Sequence, residues 1–459
     1  MKKRIPSLEF LLSLDFLKIA FPAILESLVS VIIATIDTKM IACLGKPAIS
    51  AVSFTTQPKL IFFSVFFALG TTVSILVAQA YGKRDEREAN YYFYTILKIA
   101  IIFSVVIGII TAVLAEPVMR ICNHQDDTLH LSVSFFRIIM GFMIFQVIST
   151  VLNAALRGIG KTKVTLVSNV AMGITDILFN YLLIEGRLGF PRLEIRGDAV
   201  ATVLGSIAAC VISIIAICTQ NDFIHLKGLF TEKIFSDRER LGIIFSKAGN
   251  IVFENLFMRI GFLVSSAIVS MLSSGETAVY AVAMILLNYS FAFGDGIQSA
   301  VVALTGRAYG AGDYKAFLHY FRIALVFGVI CSVMLGIIYN TTSEVYYKAF
   351  YTDRRAIDDG SRYSGYAAVL TLLQIIWIAD VGAMRGMGEV KTPRIIATIC
   401  VTVVSPLFTY VMAIPAGYGV EGFWSAAVIS QGLWFVMAGG ACYKHMKRLK
   451  GIKVRCSEK

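Results

Sequence analysis

Charged residues are scarce in this 459-residue sequence, in which Asp, Glu, Lys and Arg together make up 16% of the chain. Soluble globular domains contain about 25% charged residues, so the shortage excludes an ordinary soluble protein. Hydrophobic residues make up 57%, and the mean hydropathy is +0.74. Residues 97–115 and 201–219 are apolar runs, each long enough to cross a hydrocarbon layer of about 30 Å as a helix. The sequence predicts an all-α polytopic membrane protein.

The sequence also lacks the motifs of common enzyme and metal sites. It has no glycine-rich phosphate loop, no HExxH motif and no pattern that pairs a nucleophile with a base. Its eight cysteines show no CxxC or other metal-ligand spacing, and cysteine inside an apolar run serves as a small apolar side chain. No polar segment exceeds about 25 residues, which is too short for a catalytic domain. We expect no enzyme activity, no cofactor other than a coupling cation, and no ATPase subunit.

Twelve apolar segments are predicted to span the membrane. They lie near residues 17–42, 55–81, 91–115, 128–152, 164–185, 197–219, 242–272, 278–306, 314–341, 359–383, 392–415 and 420–443. Both termini and every second connection hold roughly 25 Lys and Arg, against roughly 8 in the other connections, and positively charged loops stay in the cytoplasm. We therefore predict a protein of the bacterial cytoplasmic (inner) membrane with both termini cytoplasmic. The short basic start indicates a signal-anchor instead of a cleaved signal.

The net charge of +12 comes largely from these loops and from the basic tail at 444–455. A basic cluster beside a span is typical of a segment that faces lipid headgroups. We therefore expect membrane lipid as a partner and no nucleic acid.

The charge asymmetry gives a testable topology. Single cysteines placed in residues 83–88 and 157–163 should react with an impermeant maleimide only after cells are permeabilised. Cysteines placed in residues 124–130 should react in intact cells. Labelling of the two basic loops from opposite sides of the membrane would contradict the twelve-span prediction.

Short words recur at a constant distance along the chain. "LRGIGKTK" (156–163) returns as "MRGMGEVKT" (384–392), which places Arg157 and Arg385 228 residues apart. Three further pairs keep that shift: Tyr81 and Tyr309, Gln146 and Gln374, and Glu26 and Glu254. We predict two pseudo-symmetric six-helix bundles, at 1–222 and 240–459, joined by a cytoplasmic linker at 223–239. An even number of spans in each bundle implies an axis along the membrane normal and a central cleft, which suits alternating access.

These motifs together resemble the multidrug and toxic compound extrusion (MATE) transporters. The resemblance rests on "FPAILESLVSVIIATIDTKMIACLG" with Pro22 and Asp37 fifteen residues apart, on "AQAYG", on the two arginine loops and on "FENLF" in the seventh span. It covers essentially the whole chain. It implies a twelve-helix, two-lobed exporter that exchanges Na⁺ or H⁺ for organic, often cationic and lipophilic, compounds.

The resemblance also assigns individual positions. Asp37 falls on the family's first-span carboxylate, and Glu254 on the seventh-span glutamate of the NorM-like branch. The tenth-span aspartate of that branch falls on Gln374 here. The fifth-span carboxylate of the DinF-like branch falls on Asn180, and Asp176, one turn earlier, occupies a usual asparagine position. The coupling ion and the lobe that binds it therefore stay open.

Helical geometry independently selects two polar stripes. At 100° per residue, the first span aligns Glu26, Ser30, Ile33 and Asp37, and the fifth aligns Asn169, Gly173, Asp176 and Asn180. Polar residues confined to one stripe of an apolar helix face the protein interior, because lipid does not solvate them. We predict that Asp37, Asp176 and Asn180 bind Na⁺ through oxygen atoms or hold a proton. Glu26 and Glu254 are further candidates for ion coupling.

A structural interpretation stands beside each of these assignments. Asp176 can serve as a structural hydrogen-bond acceptor. For the other acids the alternative is an ion pair, since an unpaired buried charge is strongly unfavourable. The pairs considered are Asp37 with Lys39 at the outer end of the first span, and Glu26 or Glu254 with Lys59 or Arg259.

Other residues are candidates for the substrate cleft or for helix bending. The cleft candidates are Asp295, Asn288, Gln146, Gln374, Met40 and Lys59. Asp295 and Asn288 share a stripe of the eighth span, and methionine provides an adaptable apolar wall. Pro22 and Pro58 can bend their spans, because proline removes a backbone hydrogen bond.

We predict a monomeric antiporter that exports small organic, lipophilic cationic compounds in exchange for Na⁺ or H⁺, because acids outnumber bases within the spans. The alternative is a flippase or exporter of lipid-linked precursors or polysaccharide from the same superfamily. The basic residues Lys39, Lys59 and Arg259 favour this alternative, because such proteins usually have a more basic cleft. A receptor or sensor is a third class. The two similar bundles with matching polar residues argue against it, because they have no obvious use in such a protein.

Overall fold

The computed structural model describes residues 8–122, 126–219, 223–229, 237–272 and 274–457. These residues form sixteen α-helices, one short 3-10 helix and one π-helical segment, and the described ranges contain no strand. The α-helices are α1 Leu8–Ala42, α2 Lys46–Lys83, α3 Glu86–Val113, α4 Ala115–Cys122, α5 Asp126–Gly141, α6 Ile144–Gly158, α7 Thr162–Leu183, α8 Ile195–Thr219, α9 Arg238–Ser270, α10 Ser274–Gly310, α11 Tyr314–Thr341, α12 Ser343–Lys348, α13 Arg354–Gly386, α14 Lys391–Ala397, α15 Ser405–Ala413 and α16 Gly419–Ser457. The 3-10 helix is Arg187–Gly189, and the π-helical segment is Thr398–Val404.

Eleven segments of the described chain are long and apolar enough to cross a membrane, with α14, the π-helical segment and α15 counted as one span. Helices α5 and α6 make a twelfth span if they are counted together, since they are bent by 49° at a short break. The predicted all-α fold with twelve spans is confirmed, and the break in the fourth span is an addition that the sequence did not predict.

Residues Leu25–Val252 form one compact unit. Its apolar core includes Phe66, Phe93 and Phe136, all at most 1% exposed. Residues 223–229 of the predicted linker pack on this unit, because the Asn90 side chain bonds the backbone of Phe223 and His225 at 2.8 and 2.9 Å. Residues 230–236 of that linker lie outside the described residues.

Residues Met1–Ile24 and Phe253–Lys459 form the second compact unit. Buried hydroxyl groups join its helices, since Ser290 of α10 hydrogen-bonds Thr371 of α13 at 2.7 Å and Tyr339 of α11 at 3.0 Å. Trp377 of α13 stacks on Trp434 of α16 with the ring centroids 3.7 Å apart. The domain boundaries predicted at 222 and 240 stay a prediction.

The same helix crossing occurs in both units. In the first, α7 meets Ile33 of α1 at Gly173, where there is no room for a Cβ. In the second, Gly261 of α9 meets the backbone of Val401 in the π-helical segment, again with no room for a Cβ. A shift of 228 residues carries Ile33 to Gly261 and Gly173 to Val401. The sequence repeat is therefore also a repeat of tertiary contacts. The glycine lies on α7 in the first unit, but on α9, the counterpart of α1, in the second.

The two prolines lie inside continuous helices. Pro22 belongs to α1 and Pro58 to α2, and both side chains are buried. Their predicted role in helix bending during transport stays a prediction.

Candidate functional site

The close crossing at Gly173 aligns the polar stripes of α1 and α7. The Asn180 Nδ2 donates to Asp37 Oδ1 at 2.5 Å, and the Asn169 Nδ2 donates to Glu26 Oε1 at 2.6 Å. Each pair is 143 residues apart in the chain, so the two helices run parallel and in register. The two stripes therefore face each other, and Asp176 lies one turn before Asn180 with only 5% of its surface exposed.

Helix α8 adds a carboxyl group that sequence reasoning missed. Asp198, which is 1% exposed, lies in the first turn of α8 and interacts electrostatically with Asp37 and Asp176. Thr202, one turn later on α8, adds a hydroxyl group beside Asp176. An acid in a first helical turn is ordinarily explained by its interaction with the helix dipole. The sequence signal of Asp198 was therefore indistinguishable from that of a stabilising first-turn acid.

Helix α2 supplies the base of this site. The partly buried Lys59 interacts electrostatically with Asp198, Asp37 and Asp176. The alternative in which Asp37 pairs with Lys39 is wrong, because Lys39 is exposed and forms no ion pair in the described part of the chain. We call this site the carboxylate cluster; its members are Asp37, Lys59, Asp176, Asn180, Asp198 and Thr202.

The acids of the carboxylate cluster outnumber its one base. Asp37, Asp176 and Asp198 interact electrostatically with one another. Three carboxylates and one ammonium together carry a net charge of −2, which a bound cation or proton reduces. Oxygen atoms of Asp176, Asn180 and Asp198 are buried without a hydrogen-bond partner in the described structure, and such atoms can receive a cation or a proton.

Glu26 and Glu254 occupy equivalent ion pairs in the two units. Glu26 pairs with Arg157 at 2.7 Å, and Glu254 pairs with Arg385 at 3.0 Å. Partners in both pairs are 131 residues apart, and the glutamates are 5% and 2% exposed. The predicted alternatives, Lys59 and Arg259, are wrong as partners. The arginines of the two repeated loops take that role, and the common shift of 228 could have identified them.

The remaining candidates lie apart from these contacts. Gln374 is 2% exposed in α13, and its Nε2 atom has no partner among the described residues. Asn288 and Asp295 are exposed on α10, whereas Gln146 and Met40 are partly buried on α6 and α1. No group of three or more His, Cys, Asp or Glu side chains in the described ranges is arranged to hold a metal ion. The predicted roles of these residues, and the predicted Na⁺ site at Asp37, Asp176 and Asn180, stay predictions.

Comparison with known proteins agrees with the fold. The chain is 25% identical over 415 residues to a Thermotoga maritima protein named probable multidrug resistance protein NorM, with 89% of this chain and 88% of the relative covered. It is 22% identical over 385 residues to the probable multidrug resistance protein YoeA of Bacillus subtilis, with 83% and 82% covered. A solved outward-facing multidrug resistance MATE family transporter matches with a TM-score of 0.88 at 17% identity, over 96% of this chain and 97% of that one.

The family profile named MatE matches this chain twice, at residues 22–182 and 251–411. The two matches correspond to the two halves of the repeat and together cover more than half of the sequence. The chain therefore belongs to the MatE family, that of the MATE transporters.

Proposed function

We propose that this protein is a secondary antiporter that exports small organic compounds by alternating access and is driven by H⁺. The observation that carries the proposal is the carboxylate cluster, in which three buried or partly buried acids interact electrostatically with one lysine inside the membrane-spanning helices. The names of the relatives, which describe multidrug resistance proteins, support the export of organic compounds. In this proposal both termini are cytoplasmic, as the loop charges predict.

The composition of the carboxylate cluster favours H⁺ over Na⁺ as the coupling cation. The Lys59 ammonium already interacts electrostatically with the acids and repels a second cation of fixed charge. A proton needs a single oxygen atom, whereas Na⁺ needs several oxygen ligands at once.

Protonation of the carboxylate cluster can change the helix packing because the cluster joins four helices. Asp37 lies on α1, Lys59 on α2, Asn180 on α7 and Asp198 on α8. Adding one proton changes the charge by a full unit in a poorly screened interior and converts a hydrogen-bond acceptor into a donor. Exchange then requires that the protonated and the substrate-bound forms favour different conformations.

Transport by purified protein in liposomes tests this proposal. A pH gradient with equal Na⁺ on both sides should drive accumulation of a fluorescent dye cation, and a Na⁺ gradient at equal pH should drive none. Liposomes without protein and liposomes with a protonophore provide the controls. Equal transport with the Na⁺ gradient alone would overturn the choice of H⁺. A failure of both gradients to drive transport would overturn the antiport proposal.

A further inference from the structure

Three side chains donate hydrogen bonds to the carboxylate of Glu26 in the first unit. The Arg157 Nη1 and the Asn169 Nδ2 donate to its Oε1 at 2.7 and 2.6 Å, and the Thr165 Oγ1 donates to its Oε2 at 2.5 Å. We call these four residues the Glu26 tie, which joins α1, α6 and α7. Hydrogen bonds to a charged group are stronger than those between neutral groups, so the tie holds the three helices firmly together.

The Glu26 tie and the contact between Asp37 and Asn180 lie on the same two helices. Glu26 and Asp37 are eleven residues apart on α1, and Asn169 and Asn180 are eleven residues apart on α7, which is about 16 Å along each axis. Because the two separations are equal, one register of α1 on α7 makes both contacts. The helix crossing between them is at Gly173, which allows close approach but has no side chain to fix the rotation or depth of α1.

The second unit keeps the ion pair but lacks the other donors of the tie. A shift of 228 residues carries Thr165 to Pro393 and Asn169 to Ala397, and neither of these side chains can donate a hydrogen bond. The Oε2 atom of Glu254 is accordingly buried without a hydrogen-bond partner in the described structure. The ion pair therefore forms without the extra donors, which the first unit must need for another reason.

The second unit also lacks the contact that Asp37 makes. The same shift carries Asp37 to Ser265 and Asn180 to Phe408, so neither the carboxylate nor the amide is repeated. The complete tie thus occurs in the unit that has the contact between Asp37 and Asn180, and the incomplete one in the unit that lacks it. This difference indicates that the tie serves that contact.

We propose that Glu26 is a positioning residue for proton coupling. The Glu26 tie fixes the register of α1 on α7 and thereby holds Asp37 against Asn180, while Glu26 itself does not bind the coupling proton. The proposal rests on the proposed export function. It also revises the role in ion coupling that the sequence predicted for Glu26, because all the hydrogen bonds of its carboxylate are used to join helices.

Disulfide formation between α1 and α7 measures their register without any transport. In a chain whose eight native cysteines are replaced by serine, Ile33→Cys and Gly173→Cys place two thiols at the crossing, and the first change frees the space that the second one fills. Thr165→Val removes one donor and keeps every charge, so the protein should fold and form this disulfide about tenfold more slowly in detergent. Thr165→Ser keeps the hydroxyl group and should restore the rate.

A matched control lies one turn away on α1. Ser30 donates to the backbone carbonyl of Glu26 within the same helix, so Ser30→Ala should leave the rate of disulfide formation unchanged. If Thr165→Val leaves it unchanged as well, the Glu26 tie does not set the register and the proposal is overturned.

A second-site change distinguishes a positioning residue from a proton-binding one. Glu26→Gln leaves Arg157 without its counter-charge and should slow proton-driven efflux from liposomes at least about tenfold, as a small misplacement of a functional group does. Glu26→Gln combined with Arg157→Gln removes both charges and keeps an amide that can meet Asn169 and Thr165. This double variant should recover most of the efflux rate and of the disulfide rate.

The two measurements together decide the role of Glu26. A change at Arg157 cannot replace a lost proton-binding group, so a double variant that forms the disulfide at the normal rate but stays defective in efflux would overturn the proposal. Disulfide formation needs no ion gradient. If the unmutated chain moves no dye under any gradient, the export function fails, whereas the disulfide rates still show whether the Glu26 tie sets the register.

Discussion

Asp37→Asn should lower the initial rate of proton-driven efflux at least tenfold, the change that about 1.4 kcal/mol produces, while the protein still inserts, folds and binds dye. The substitution keeps the shape of the side chain, and its amide can still meet Asn180, which lies 2.5 Å from Asp37. It removes one of the carboxyl groups that can bind the coupling proton, so the charge at residue 37 no longer changes over a transport cycle. A group that binds the ion equally in both conformations cannot couple ion movement to the conformational change. Efflux from proteoliposomes under an imposed pH gradient measures the effect.

Two matched variants show whether the lower efflux rate comes from the lost charge at Asp37. Asp37→Glu should retain part of the activity, because the charge remains and only the reach of the side chain changes. Lys39→Ala should have a mild effect, since Lys39 is exposed two residues further along the same helix and its ammonium group can reach the membrane interface. Full proton-driven efflux by Asp37→Asn would show that coupling resides elsewhere, with Asp176 and Asp198 as the next residues to test.

Arg385→Met should lower the free energy of unfolding by about 3–5 kcal/mol, the cost of leaving a buried charge without its partner. Glu254 is 2% exposed at its side chain and Arg385 is 10% exposed, so water cannot replace the lost guanidinium. Adding Glu254→Gln in the same chain should recover most of the loss, because the uncompensated charge is then gone. Unfolding by sodium dodecyl sulfate in mixed micelles, followed by tryptophan fluorescence, measures these differences.

A surface pair provides the control for that experiment. Lys348 and Glu344 form an ion pair with side chains 54% and 50% exposed, and Lys348→Met should leave the free energy of unfolding nearly unchanged, because water screens and solvates an exposed pair. If the double variant is as unstable as Arg385→Met alone, Arg385 acts through packing and the proposed role of charge is incorrect.

The sequence alone was sufficient for the spans, their number and the repeat. A segment that crosses a membrane must satisfy its own backbone hydrogen bonds and present apolar side chains to lipid, so hydropathy reveals it directly. The stripe that contains Glu26 and Asp37 was also predictable, because the helical period is a local property.

The partners of the charged residues were decided only by the tertiary structure. Glu26 pairs with Arg157 and Glu254 with Arg385, each across 131 residues of chain, and a local pattern holds no information on that distance. Which helices meet depends on where a small residue allows close approach, as Gly173 does for α1 and α7. Helix packing also places Asp198 in the carboxylate cluster. Only the packing of α8 against α1 and α7 distinguishes it from an ordinary first-turn acid. Glu254 pairs with Arg385 and not with Arg259, which lies five residues further along α9, and that choice of partner exists only once the helices are packed.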